Sequence, residues 1–541
     1  MLQRNWRIIL LLIISSFALY INSGSYGVVE SSEARYAEIS REMFISGDYL
    51  HPNLLNVHHY HKPPLTYQIT AIGYRLFGVN TFGARFFLQI AVLIQMVLVY
   101  ALAMLLFSSR KTALWAGAIY FSFPLVIVSS RNLTTDAFLT TFALCSIYAW
   151  VKYRMQQKRI FLYLFSLSLA MGFLTKGPVV LIVPLPFMFA FNWIEKSKNN
   201  LGIHHLFAGL LFAVVATSWY LHLIAQNPEF LNYFLGRHTV DRFAKDAFDR
   251  SEPFWYFIAL APAVGIPWLL ILPVVLVIKR DTLKMKSIEG VLLIGIIIPL
   301  IFFSISSSKR LLYILPFYSL AALLTAHLLT RLSGKGSRNL SRVMLGYSLL
   351  VCVAFIAAMF FKTGYEIPEI FAIAGIIGIP LFICIYNSGL ISTDSRPVVM
   401  SFLLSAFMIV GISELMASNE FKIKSSATVA DFIFENQLEN RPVLVYNARK
   451  PSIAFELNKS IISLYDGSKT LARETQFETD LGWKNYLINM EDEDEVASLK
   501  SMLKKQPTVL LDYRKRLRAG AIWLRKYYDN RKRFENWDVY Y

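Results

Sequence analysis

The chain has 541 residues, 55% of them hydrophobic and only 17% charged, with a mean hydropathy of +0.46. Soluble domains carry about 25% charged residues, so this composition excludes a disordered chain, a secreted disulfide scaffold and an ordinary cytosolic enzyme, and describes a polytopic membrane protein. The net charge of +18 would point to nucleic acid if it sat on a soluble domain. Residues from 420 onward nearly balance, however, and most of the excess lies in the apolar part, where cations set topology. No nucleic-acid partner is expected. Cys145, Cys352 and Cys384 all lie in apolar runs and leave neither a disulfide framework nor a metal spacing.

A spanning helix needs about 20 mostly apolar residues. Thirteen stretches qualify, at roughly 6–22, 84–107, 112–129, 136–152, 160–175, 177–194, 205–225, 254–278, 288–305, 311–330, 342–361, 367–386 and 398–416. Placing the N-terminus in the cytoplasm puts Arg4, Arg7, Arg110, Lys111, the basic run 152–159, Lys196, Lys198, Lys279–Lys286, Arg331–Arg342 and Arg396 on the inner side. The short opposite loops hold few cations, among them Arg131, Lys176, Lys309 and Arg310. Two long loops, about 23–83 and 226–253, and everything after 417 then lie outside, in the periplasm of a bacterial inner membrane. The expected domains are a membrane domain over 1–417 and a soluble one over 418–541. In the latter, short apolar runs (442–446 and 508–512) alternate with polar helical stretches, the pattern of a small α/β domain.

The first long loop is too patterned for a linker. In Glu33–Ser46, Tyr36, Ile39, Met43 and Phe44 form one helical stripe, and Arg35, Glu38 and Glu42 form the opposite one, as expected for an amphipathic helix lying at the interface. A second helix starts at Pro63-Pro64, with Leu65, Ile69, Ile72 and Leu76 as its apolar face. Between them stands His58-His59-Tyr60-His61-Lys62. Three histidines within four residues cannot readily all face one ion, so no divalent metal is expected to be required.

The ordered motifs Ser-Glu-Ala-Arg-Tyr-Ala-Glu (32–38), Ser-Gly-Asp-Tyr (46–49), His-Lys-Pro-Pro-Leu-Thr-Tyr (61–67), Asn-Leu-Thr-Thr-Asp (132–136), Leu-Thr-Lys-Gly-Pro (174–178), Arg237-His238 through Arg242-Phe243, and Ser-Ser-Ser-Lys-Arg-Leu-Leu-Tyr (306–313) closely resemble those of the lipid A aminoarabinose transferases. These belong to the wider polyprenyl-phosphate-sugar glycosyltransferases, which include the protein O-mannosyltransferases. The resemblance implies a GT-C fold of about 13 transmembrane helices, with interfacial helices in the first outer loop and a small α/β periplasmic domain. It implies transfer of a sugar from an undecaprenyl-phosphate-type donor to lipid A, another glycolipid, a glycan or a protein, without a cofactor.

By the same resemblance, Lys62, Arg242, Tyr313 and Lys309 are expected to hold the donor phosphate. Asp136 is the expected catalytic carboxylate, its alternative being a helix cap. Ser32 stands where the family has Asp, so Glu33 and Glu30 share the candidacy; Glu33 has two further readings, as the partner of an arginine or as a helix start. Arg35, Tyr36, His61, Lys176 and His238 complete the candidate set. The competing readings are a protein O-glycosyltransferase, a transporter or flippase for a lipid-linked sugar, and a binding protein that has lost catalysis. Paired loop helices with ordered charged motifs speak against transport.

Overall fold

The computed structural model describes residues 2–30, 32–195, 202–234, 236, 252–280, 284–361, 364–467, 471–514 and 517–541. Two compact units emerge, the first from residues 1–21, 88–363 and 367–412, the second from 22–87, 364–366 and 413–541. The first long loop therefore packs with the C-terminal region, whereas the expected boundary at 417 kept it with the membrane helices. The apolar stripe of that loop has its partners several hundred residues later, a pairing that periodicity does not disclose.

The first unit is helical. Its opening elements are α1 (Leu2–Tyr20), then, after helices α2 (Ser32–Ser46) and α3 (Leu65–Phe77) of the second unit, α4 (Thr81–Phe107), α5 (Arg110–Phe121), α6 (Pro124–Ser130), α7 (Thr135–Gln156) and α8 (Arg159–Lys176). Every expected span coincides with a helix or a broken pair of helices. Eight helices are long and apolar enough to cross a membrane on their own, and ten spans result if two bent pairs each count as one. Trp6–Tyr20 and Pro178–Ile194 are shorter apolar helices. The chain is a multi-pass membrane protein, and length and apolarity carry the count to ten among the described residues, where thirteen were expected.

The two breaks have a common cause. Pro124 lacks an N–H and pushes Phe123 into an extended conformation (φ −72°, ψ 127°), and α5 and α6 meet at 62°. Tyr256–Ala263 and Trp268–Ile278 meet at 99°. A break inside lipid strands backbone groups that water cannot reach. Here the breaks serve each other: the Leu125 amide donates to the Val264 carbonyl at 3.0 Å. Tyr318 adds its hydroxyl to the Ala261 carbonyl at 2.8 Å. The Trp268 indole N–H is shared between the hydroxyls of Ser122 (2.7 Å) and Ser401 (3.1 Å).

In the second unit, a sheet is built from β1 (Val443–Tyr446), β2 (Ile462–Tyr465), β3 (Leu487–Asn489), β4 (Val509–Tyr513), β5 (Arg531–Arg533) and β6 (Trp537–Tyr540), in the order β3-β2-β1-β4-β6-β5. The first four strands in that order are parallel, and β6 and β5 are added antiparallel. β1 and β4 are buried along their whole length, so they read as continuous apolar runs, as central parallel strands do.

One face of this sheet shares a core with the first loop. Ile39, Met43, Leu54, Leu55 and Tyr67 pack with Val429, Ile433, Val445 and Val539. Helix α2 differs from expectation on its other side: Glu38, Arg41 and Glu42 are buried rather than turned to an interface. The charges cancel internally. Arg41 makes two 2.7 Å hydrogen bonds to Glu38, while burial, followed by the neighbouring Glu38, pushes the Glu42 carboxyl well above its ordinary range.

Deleting residues 418–541 should consequently leave Ile39, Met43, Leu54 and Tyr67 without their partners. Limited proteolysis of the truncated protein in membranes should then cut within 23–83, where the full chain resists; equal resistance would show that the loop folds without the tail.

Candidate functional site

Each unit gathers part of the expected residues. In the first, Asp136 stands in the opening turn of α7, whose cap position is taken by Thr134. Asp136 is therefore in the first turn rather than at the cap itself. Its carboxylate pairs with the ammonium of Lys176, the last residue of α8, and both side chains are more than 90% buried. The same ammonium lies 4.2 Å from the ring centroid of Tyr313. Three candidates from three separate motifs thus meet as carboxylate, cation and phenol. Burial without compensation would be costly for either charge, and the cation–π contact adds roughly 0.5–2 kcal/mol.

Lys309 is used differently. Its ammonium donates to the carbonyls of Glu252 (2.7 Å) and Ser306 (2.6 Å), closing the loop before the helix Leu315–Thr330. Arg131, which was counted only as an outer-loop cation, caps the C-terminal end of α1 through the carbonyls of Ala18, Leu19 and Ile21. His238 and Arg242 lie outside the described residues.

The second unit holds the remaining candidates. Glu33 is 1% exposed and faces Arg85, which is fully buried; the two make hydrogen bonds of 2.8 and 2.9 Å. Arg85 also donates to the carbonyls of Ser23, Tyr26 and Gly27 and stacks 3.8 Å from the Tyr26 ring centroid. Glu33 accepts the Val29 amide as well, at 3.0 Å. Among its three readings, this is the partner of an arginine. Arg85 escaped the sequence reading because it sits in the first turns of an apolar span. An arginine at that place, with no partner nearby in sequence, was the available signal.

Glu30 accepts a hydrogen bond from Ser452. Burial raises its carboxyl above the ordinary range, while Lys450, Ser452 and Arg35 pull the other way. Two further carboxylates, not singled out in the sequence, bind the adjoining backbone: Glu420 accepts the Gly27 amide (2.8 Å) and Glu456 the Val28 amide (2.7 Å). A Cβ on Gly27 would come within 2.3 Å of the Ser425 hydroxyl and 2.7 Å of Glu456, so only glycine fits there. Tyr36 packs on Tyr67 with ring centroids 5.4 Å apart.

His61 lies 3.9 Å from His59, ring centroid to centroid. Burial, then Arg35, push its imidazole down to about 3, with Lys62 and Arg473 acting in the same sense and Glu474 opposing. Among the described residues no three His, Cys, Asp or Glu side chains cluster as a metal site. Arg449 bonds Glu474 at 2.7 Å. Lys62 is half-buried beside His61.

Residues 5–234 match the family model described as dolichyl-phosphate-mannose-protein mannosyltransferase. Among curated proteins, the chain is 32% identical over 302 residues to an undecaprenyl phosphate-alpha-4-amino-4-deoxy-L-arabinose arabinosyl transferase of Proteus mirabilis, covering 55% of this chain and 54% of that one. It is 29% identical over 345 residues to one from Pseudomonas fluorescens, covering 63% of each. The chain thus spans about 54% to 63% of the length of these relatives. The crystal structure of ArnT from Cupriavidus metallidurans bound to undecaprenyl phosphate superposes with a TM-score of 0.78 at 20% identity, over 99% of this chain and 98% of that one.

The fold is the multi-span membrane fold of the ArnT crystal structure. In sequence, the chain is similar over 55% to 63% of its length to aminoarabinose transferases, the resemblance that the order of its motifs implied.

Two buried groups give the second unit opposite responses to pH. The unfolded histidine protonates near 6.5, whereas folded His61 refuses the proton down to about 3; stability contributed by His61 is full above 6.5 and is lost as pH falls toward 3. Burial, with Glu420 adding, raises Glu456 from 4.5 to about 7. Its folded form therefore keeps a proton that the unfolded chain releases, and stability present below 4.5 is lost as pH rises through 7. Thermal melts across pH should lose the acid limb in His61→Asn and the alkaline limb in Glu456→Gln; unchanged profiles would place both groups in water.

Proposed function

We propose that the protein transfers a sugar from a polyprenyl-phosphate donor to an acceptor at the outer face of a bacterial inner membrane. The observation that carries this reading is the buried meeting of Asp136, Lys176 and Tyr313. In the reaction, the bond between the sugar C1 and the phosphate oxygen breaks, and the acceptor oxygen bonds to C1. The acceptor proton passes to a base, and the lipid phosphate leaves with the bonding pair. This requires a cation for the leaving phosphate and a carboxylate for the acceptor.

At rest, Lys176 and Asp136 satisfy each other. A donor phosphate draws Lys176 toward itself, and Asp136, relieved of its partner, gains basicity as the leaving group is stabilised. Tyr313 steadies the ammonium and can donate its hydroxyl to a phosphate oxygen. Lys62 and Arg242 supply further phosphate contacts, which the family resemblance supports. Glu33, committed to Arg85, positions the first loop, so the base is Asp136 rather than the altered Ser32-Glu33 pair. The donor's activation resides in its phosphate, so we propose no metal requirement, and EDTA should leave turnover unchanged.

The names of the curated relatives support an undecaprenyl-phosphate-linked sugar as donor. The acceptor belongs to the set of lipid A, other glycolipids, glycans and proteins; the mannosyltransferase match over 5–234 keeps a protein acceptor as the second reading. Purified enzyme given labelled donor and each acceptor class in turn decides between them.

Asp136→Asn should lower transfer by about 10²–10⁴-fold while donor binding persists. Lys62→Ala and Lys176→Gln should each weaken binding of undecaprenyl phosphate by about tenfold to over a hundredfold, the worth of a charge-assisted contact of about 1.5–3 kcal/mol. Wild-type turnover in Asp136→Asn would remove it as the base and favour transport of the lipid-linked sugar.

The orientation rests on the loop cations. A reporter active only in the periplasm, fused after residue 425, should give signal, and activity from a cytoplasm-only reporter there would reverse the topology.

A further inference from the structure

One cavity in the first unit contains none of the candidate residues. It measures about 600 Å³ and is walled by Trp6, Arg7, Tyr100, Arg110, Lys111 and Trp115. It lies where the start of α1, the end of α4 and the start of α5 come together with residues 392–395. Three cations face it against one nearby carboxylate, Asp394, which pairs with Lys111. Lys111 also lies 4.8 Å from the ring centroid of Trp115, and Arg7 lies 5.5 Å from that of Trp6. Ser392 and Ser395 line it too, bonded hydroxyl to hydroxyl at 2.9 Å.

Positive charge alone would be the ordinary topology signal. Here it is combined with a half-open pocket, two indoles and a phenol, the side chains that settle at the level of lipid headgroups. Trp6, Ile9, Ile13 and Phe17 are exposed along α1 below the cavity, an apolar track that an acyl chain would cover. We propose that this cavity is a binding site for an anionic phospholipid, its phosphate held by Arg7, Arg110 and Lys111 and its chains laid along α1. The volume exceeds what a bare phosphate fills and suits a phosphoglycerol headgroup with the first part of its chains. Basic pockets between helices at the membrane surface take anionic headgroups for this reason. The site is separate from the Asp136–Lys176 pair and serves to fix α1, α4 and the 392–395 turn at one end of the helices.

The test uses the full chain, purified in mild detergent, with native mass spectrometry and thermal melts in added phosphatidylglycerol, phosphatidylcholine or inorganic phosphate. Phosphatidylglycerol should stay bound and raise the melting temperature, while phosphatidylcholine and millimolar phosphate should do neither. Each cation near such a headgroup contributes about fivefold in affinity, so the combined Arg7→Gln, Arg110→Gln, Lys111→Gln variant should lose at least tenfold. The charge-matched variant Lys335→Gln, Arg338→Gln, Arg342→Gln should lose little. Leu114→Trp, which fills the cavity without altering its charge, should also abolish retention and covers the case in which the triple variant unfolds. Equal losses in the charge-matched variant, equal retention of phosphatidylcholine, retention by Leu114→Trp, or displacement of the lipid by inorganic phosphate would each overturn the proposal.

Discussion

The second unit is organised around a single guanidinium. Arg85 has no access to water and uses its donors on Glu33 and on three carbonyls in 23–27. A buried arginine left without partners would be prohibitive, and removing one partner of such a pair costs about 3–5 kcal/mol. The segment 22–30 is therefore fixed in path, and its amides at Gly27 and Val28 are presented to Glu420 and Glu456. The start of α2, the entry of α4 and the tail helix Pro451–Glu456 all take their positions from this arrangement. The cation is needed because three carboxylates converge on one stretch of backbone, and burial, with Glu420 adding, still raises the Glu456 carboxyl against the pull of Arg85.

Much of the first unit was legible because a membrane simplifies the physics. Apolar runs such as 84–107 and 398–416 had to become helices, and they did, as Thr81–Phe107 and Arg396–Ala417. Short continuous apolar runs in the tail became β1 and β4 for the same reason of burial. What sequence order could not show was partnership across distance. Glu33 was visible as a charged residue opening a helix, but its arginine lay 52 residues on, inside a stretch whose apolarity hid it. The polar stripe of α2 lies where the sequence places it but is dry rather than wet, since the Glu38–Arg41 pair stabilises its burial.

The site followed the same division. Asp136, Lys176 and Tyr313 each stood in a motif, and cations at 176 and 309 were anomalous against the positive-inside bias. That Asp136 and Lys176 neutralise each other, while Lys309 is spent on two carbonyls, depends on helix ends meeting in space. The pairing also suits the chemistry. In the proposed reaction the carboxylate and the ammonium act on different atoms of the substrates, and until a phosphate arrives each satisfies the other.

The hydrogen bond from the Leu125 amide to the Val264 carbonyl bears on biogenesis. At translation rates of roughly 5–20 residues per second, the second of these residues is made on the order of 10 s after the first. Throughout that interval the break before α6 has an unsatisfied donor, which in hydrocarbon costs several kcal/mol. The nascent helices α5 and α6 must therefore wait beside water, at the interface or within the insertion machinery, rather than settle into lipid. Final burial of the early spans is thus a late event, gated by the arrival of the helix Tyr256–Ala263 and the Val264 carbonyl that follows it.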